Sequence, residues 1–208
     1  MKPELIIRPA HPGDAKLAAR LIQMAMGRFG EYIFGNGSLA KTLEVLEQLF
    51  IAGKHRFSYE HTFLAEEEGI VAGLLLSHPA KNMSHLDMLT AAPLLTVLGF
   101  GELLNLSIRM LPLAGGREAE RDEYYISDLA VFPDFQGQGI GTRLLAFAED
   151  QAAKHGLRKC SLIVALGNAA ARRLYLQVGY HIVETVSYSH LQKRSGETGY
   201  ERMRKMIA

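Results

Sequence analysis

Asp128-Leu129-Ala130-Val131-Phe132-Pro133-Asp134-Phe135-Gln136-Gly137-Gln138-Gly139-Ile140-Gly141-Thr142 joins a β-type run to a helical one. Upstream, Tyr124 to Val131 is apolar and rich in strand formers. Downstream, Leu144, Leu145, Phe147 and Ala148 fall at helical spacing. Between them stand three glycines at alternate positions. Glycine accepts dihedrals that other residues avoid and lets the backbone come close to a ligand. Several N–H groups in such a turn converge on one point, with the positive end of the following helix behind them. The group that suits this point is a phosphate. Spacing narrows the choice of ligand. A dinucleotide fingerprint needs a third glycine where Thr142 or Leu144 stands, and a Walker A loop needs a Gly-Lys-Ser/Thr run that the chain lacks.

Working outward, a helix is predicted from about Gly139 to His155 and a strand from Lys159 to Val164, which makes a βαβ order with the Tyr124 strand. Asn168 then stands as the N-cap of a helix ending at Gly179, followed by strands near 181–190 and 199–207. In the other direction, residues 62–66 and 70–77 read as a hairpin around an acidic turn and Gly69. Residues 4–8 read as a short strand interrupted by Pro9 and Pro12. Leu17, Leu21, Ile22 and Met24 mark an amphipathic helix behind Asp14, and a second helix runs from about Ser38 to Phe50. The class is mixed α/β.

One segment fits none of this. From Asn82 to Gly116 the only charged residues are Asp87, Glu102 and Arg109. Its longest uncharged run, Met88 to Gly101, contains Pro93 and is too short to cross the ~30 Å core of a bilayer as a helix. One or two buried helices inserted between the third and fourth strands are expected, roofing a substrate-binding site or pairing with a second copy.

With 208 residues, 48% hydrophobic and 22% charged, the composition is that of a soluble globular chain, and a single domain, 1–208, is expected. A net charge of +1 gives no bulk pull toward nucleic acid or anionic lipid, so a charged ligand must be held locally. Cys160, the single cysteine, lies in an apolar run and reads as a buried structural thiol. The start of the chain has no signal-peptide pattern, which makes a cytoplasmic location the expectation. His78, His85, His155 and His181 are scattered and form no H-E-x-x-H, so no metal is expected. Lys193, Arg194, Arg202, Arg204 and Lys205 interleave with Glu197 and Glu201, the pattern of a solvated hairpin face rather than a nucleic-acid site.

The run Gln136-x-x-Gly139-x-Gly141, with Val131-x-Pro133 and Phe135 before it, resembles the acetyl-CoA signature of the GNAT superfamily of N-acetyltransferases. Ile7-Arg8-Pro9-Ala10 with Asp14, the hairpin from Phe63 to Leu76, and Asn168 through Tyr180 resemble the family in the same order. The stretch from Asn82 to Arg117 departs from it. The resemblance implies one α/β (α+β) domain, a mixed central sheet with helices on both faces and a helical insertion, and transfer of an acetyl group from acetyl-CoA to a small-molecule or peptide amine. It implies that amides around Gln136, Gly137, Gly139, Ile140, Gly141 and Thr142 hold the pyrophosphate. Leu129 and Val131 would bind the pantetheine arm through their backbones where the strand parts from its neighbour, and Asn168 would join them unless it only caps its helix. Tyr175 becomes the candidate acid that protonates the departing thiolate; without the resemblance it reads as a core aromatic. Asp128 is the best-placed base by sequence, or a structural acid accepting hydrogen bonds from nearby amides, with Glu123 and Tyr125 weaker. A non-catalytic acyl-CoA-binding protein and a transferase for longer acyl chains are the competing readings.

Overall fold

The structure is a computed structural model that describes residues 4–111, 116–188, 196 and 198–207. The elements, in chain order, are β1 (Leu5–Pro9), α1 (Ala15–Phe34), α2 (Leu39–Ala52), β2 (Thr62–Glu67), β3 (Ile70–Pro79), α3 (Met83–Met110), β4 (Tyr124–Val131), α4 (Ile140–Lys154), β5 (Lys159–Ala165), α5 (Ala169–Gln177), β6 (His181–Ser187) and β7 (Gly199–Met206). The strands form one sheet in the order β1-β2-β3-β4-β5-β7-β6. All neighbours are antiparallel except β4 and β5. That parallel pair is possible because α4 carries the chain back across the sheet between them.

Each face of the sheet buries its own apolar set. Leu64, Leu74, Leu76 and Ala130 pack against Leu21, Ile22, Leu46, Leu49 and Phe50 of α1 and α2. Ala72, Leu75, Tyr124, Ile126 and Leu162 pack against Ile140, Leu144, Leu145 and Ala148 of α4. β3 is buried along both faces from Val71 to Pro79, which accounts for its unbroken apolar run. Pro9 belongs to β1 after all. The Ala10 amide bonds Thr62 O, so the missing N–H of Pro9 faces the open edge, where no partner strand needs it.

Two further expectations are corrected. The inserted segment is helical, but it is not buried. Of α3 only Leu86, Thr90, Leu106 and Arg109 are buried, while Met88, Leu95, Leu104 and Ile108 are exposed and Phe100 is 77% exposed. The reason lies in the layering: α1 and α2 already cover that face of the sheet, so α3 packs against them from outside through one seam including Leu94, Val97, Leu98, Leu103 and Leu106. Counted through its four charged residues, Lys81, Asp87, Glu102 and Arg109, the stretch Ala80–Met110 is long and apolar enough to cross a membrane. Residues of both halves sit in the seam, and Gly99, at φ 73° and ψ 169°, breaks the helix in a conformation that favours glycine. Residues 112–115 of the insertion lie outside the described residues.

The second correction concerns the last strand. Lys193, Arg194 and Glu197 also lie outside the described residues, but Arg202 and Glu201 are 7% and 8% exposed rather than solvated. β7 slots between β5 and β6, so its charges enter the fold and need counter-ions there. Arg202 finds Glu123 at 3.2 Å, Glu201 finds Arg172 at 2.6 Å, and Lys205 finds Glu149 at 2.7 Å.

Candidate active site

β4 and β5 pair at three positions only: Tyr124 with Cys160, Tyr125 with Ser161 and Ile126 with Leu162. At Ser127 the register with β3 slips, because Ser77 faces Ile126 while Leu76 faces Asp128. Such a bulge bends the strand that carries the extra residue. Beyond it β4 stays on β3, and β5 stays on β7 as far as Ala165. The centre of the sheet therefore opens. Direction follows from one bond: the Phe132 amide donates to Ala72 O on the β3 side. Polar groups alternate along a strand, so those of Leu129 and Val131 point the other way, into the opening. Gln136 Nε2 takes the Val131 carbonyl at 2.9 Å, leaving the Val131 N–H and both polar groups of Leu129 facing the gap.

The opening ends at the glycine turn. Gly137 and Gly139 have φ of 75° and 85°, the left-handed region, and Gly139 is the N-cap residue of α4. The first backbone bond into the helix is Arg143 N to Gly139 O at 3.1 Å. Among the described residues no backbone carbonyl accepts from the amides of 137–142. Six N–H groups at a helix start, with its dipole behind them, make an anion site. Gly141 serves a different need. A Cβ there would meet the side chain of Leu174 at 3.2 Å, so its bareness lets α5 close in on α4.

Asp128 stands on β4 just past the last rung with β5, and Tyr175 on α5 lies within electrostatic reach of it. Asp128 is 6% exposed, and burial pushes its carboxyl up to about 6 against the lowering effect of a 2.9 Å hydrogen bond from the Ser127 hydroxyl. No backbone amide donates to it among the described residues, which removes the support for a structural acid held by amides. Tyr175 is 7% exposed. Burial, and then the negative charge of Asp128, pushes its phenol up to about 12, so it stays protonated. The two groups are thus close enough to interact, with the Asp128 carboxyl raised toward neutral pH and the Tyr175 phenol kept protonated. Asn168 caps α5, its Oδ1 accepting from the Ala171 amide at 3.1 Å, which leaves its side-chain N–H groups for another partner.

The weaker base candidates are engaged elsewhere. Glu123 is fully buried between Arg202 and Arg204, at 3.2 and 3.7 Å. Tyr125 is buried under the Arg56 guanidinium, 5.7 Å from its ring, and beside His78. Arg56 is itself bonded to Glu118 and, at 3.3 Å, to Asp87. This polar cluster behind the start of β4 escaped the sequence reading, because its members come from four distant segments and share no spacing.

Residues 34–180 match the model of the acetyltransferase (GNAT) family. The chain belongs to that family. Among curated GNAT relatives, the [Ribosomal protein bS18]-alanine N-acetyltransferase of Escherichia coli strain K12 is 40% identical over 60 residues, 29% of this chain and 40% of that protein. The aminoalkylphosphonate N-acetyltransferase of Salmonella typhimurium is 40% identical over 55 residues, 26% of this chain and 36% of that protein. The chain thus spans less than half the length of these GNAT relatives. A solved acetyltransferase structure aligns with a TM-score of 0.70 at 26% identity, over 98% of this chain and all of that one. A GNAT family acetyltransferase from Elizabethkingia anophelis, solved with acetyl-CoA bound, has the same fold, with a TM-score of 0.56 at 15% identity over 98% of each chain.

Proposed function

We propose that the protein transfers the acetyl group of acetyl-CoA to an amine by direct attack within one ternary complex. The observation that carries this reading is the opening between β4 and β5: free backbone groups at Leu129 and Val131 lead from the six-amide turn to Asp128 and Tyr175. The phosphate chemistry fits the turn. The extended, amide-bearing pantetheine arm fits a strand edge that lacks its neighbour. The acetyl-CoA seen in one structural neighbour of the same fold supports this assignment.

Asp128 accepts the proton that the amine must lose before its lone pair can attack the thioester carbonyl, directly or through a water. As the new N–C bond forms and the C–S bond breaks, Tyr175 gives its phenolic proton to the sulfur, and the second proton that the nitrogen sheds on becoming an amide passes to the phenolate, directly or through a water, which restores Tyr175. Cys160 plays no part: it is fully buried, and burial pushes its thiol up to about 12. The acceptor is an amine of a class not inherited from the relatives, which are named for unlike acceptors, a ribosomal-protein alanine and aminoalkylphosphonates. The test is a panel of amines offered to purified protein with acetyl-CoA, reading free CoA thiol. Release with some amines and not others supports the proposal. Tight acetyl-CoA binding with no amine-dependent release across the panel would instead make the protein a binder of acyl-CoA.

A further inference from the structure

At the far end of α1 the Gly35–Ser38 corner faces the last turns of α3 across an open hollow of about 520 Å³, lined by Tyr32, Asn36, Gly37, Asn105, Ile108 and Arg109. Arg109 is 9% exposed. Its Nη2 donates to Ile33 O at 2.9 Å and its Nη1 to Asn36 Oδ1 at 3.3 Å, while its Nε, shielded from solvent, has no partner. A guanidinium carries five N–H donors, and here neutral oxygens take two. No carboxylate of the described residues pairs with it. Arg202, the other buried arginine among the described residues, also has an Nε without a hydrogen-bond partner, but it has a carboxylate, Glu123, at 3.2 Å. Acids on the two framing helices are committed elsewhere: Glu31 accepts from Gln23 at 3.0 Å, and Glu102 pairs with Lys41 at 3.4 Å.

Burying a cation without a counter-ion is costly, and removing it from water strengthens its attraction for any anion that arrives. The other polar lining groups also donate. Asn36 spends its Oδ1 on Arg109 and keeps its side-chain N–H groups, and Asn105 and Tyr32 add an amide and a hydroxyl. Ile108 supplies an apolar wall. We infer that this hollow is a binding site for a small carboxylate. One fixed guanidinium among neutral donors suits a single carboxylate group. The volume lies within the ~300–1,000 Å³ of small-molecule sites. The carboxylate belongs either to the acetyl acceptor itself or to a separate ligand.

The test uses the full chain and glutarate as probe, with chloride and inorganic phosphate at matched ionic strength. Glutarate is expected to raise the melting temperature saturably in the wild type and to do nothing in Arg109→Gln. Because Arg109→Gln touches a buried residue, Ile108→Glu is the second variant: Ile108 is 56% exposed, and a glutamate at the rim supplies the missing counter-ion. It should raise the melting temperature without ligand and abolish the glutarate effect. Equal stabilisation by chloride or phosphate, or a glutarate effect that survives Ile108→Glu, would overturn the site. Kinetics with pentylamine and 6-aminohexanoate separate the two sources. A carboxylate on the acceptor predicts that glutarate competes with 6-aminohexanoate, whose KM rises about ten-fold or more in Ile108→Glu while that of pentylamine stays unchanged. A separate ligand predicts that glutarate alters turnover without competing. The melting arm stands apart from acetyl transfer, so it still decides the site if neither amine is acetylated.

Discussion

Replacing Asp128 by asparagine should stabilise the protein at alkaline pH and disable it at the same time. Its carboxyl is displaced by burial from the ordinary 3.8 to about 6, which corresponds to about 3 kcal/mol of preference for the neutral form. A raised folded-state value means that the stabilisation of the protonated group is fully present below about pH 4 and is lost as pH rises through about 6. At pH 8 the wild type therefore keeps a buried charge that asparagine never carries. Asp128→Asn should be more stable there by up to about 3 kcal/mol, a rise of roughly 6–12 °C for a chain of this length, and the gain should vanish near pH 4. Activity should move the opposite way. In the wild type, kcat/KM at pH 5 should be about one-tenth of its value at pH 8, because only about a tenth of Asp128 is ionised. In the variant, turnover should fall ~10²–10⁴-fold and this acid limb should disappear. Thermal unfolding at pH 4 and 8, with initial rates across the same range, reads both. An asparagine variant that is less stable at pH 8 and retains activity within two-fold would refute the reasoning and restore Asp128 to a structural role.

Tyr175→Phe should keep acetyl-CoA affinity and lose ~10²–10⁴-fold in turnover, whereas a rate within about two-fold of wild type removes Tyr175 from the mechanism. With its phenol near 12, Tyr175 should add no alkaline limb to the rate profile below about pH 10. Gly139→Val should fold, since a Cβ there meets nothing within 4 Å, at a strain cost of ~1–3 kcal/mol, but should lose acetyl-CoA binding by calorimetry. Unchanged affinity in the folded variant would move the pyrophosphate elsewhere. Arg202→Met strips fully buried Glu123 of its nearest cation and leaves Arg204 at 3.7 Å; urea denaturation should show a loss on the order of 3 kcal/mol at pH 7 with acetyl-CoA affinity intact.

The strands, helices and glycine turn were legible in the sequence because local signals decide them. Alternating glycines, the Asn168 cap and the apolar periods of α2 and α4 each act within a few residues. What stayed hidden depends on partners distant in the chain. Nothing in residues 199–206 says that β7 lies inside β6, so its arginines looked solvated when Glu123, some eighty positions earlier, was waiting for them. α3 looked buried because apolar composition usually means core, yet the face it would have covered was already taken by α1 and α2. Asp128 and Tyr175 were reachable through the family resemblance, but the protonation that suits each of them comes from burial, which no motif encodes.

The three rungs between β4 and β5 also have a mechanical meaning. Within the sheet they join two halves, β1 to β4 and β5 to β6, at one end, with α4 packed across both, so the pair forms a tweezer with its pivot at Tyr124–Ile126. From that pivot to Val131 is five residues, a lever of ~17 Å. A rotation of roughly 5° about the rungs moves the tip by ~1.5 Å, half a hydrogen-bond length, while barely disturbing the rungs. A molecule lying in the jaws would lock that motion, and a vacant pair of jaws would breathe most where the grip is needed.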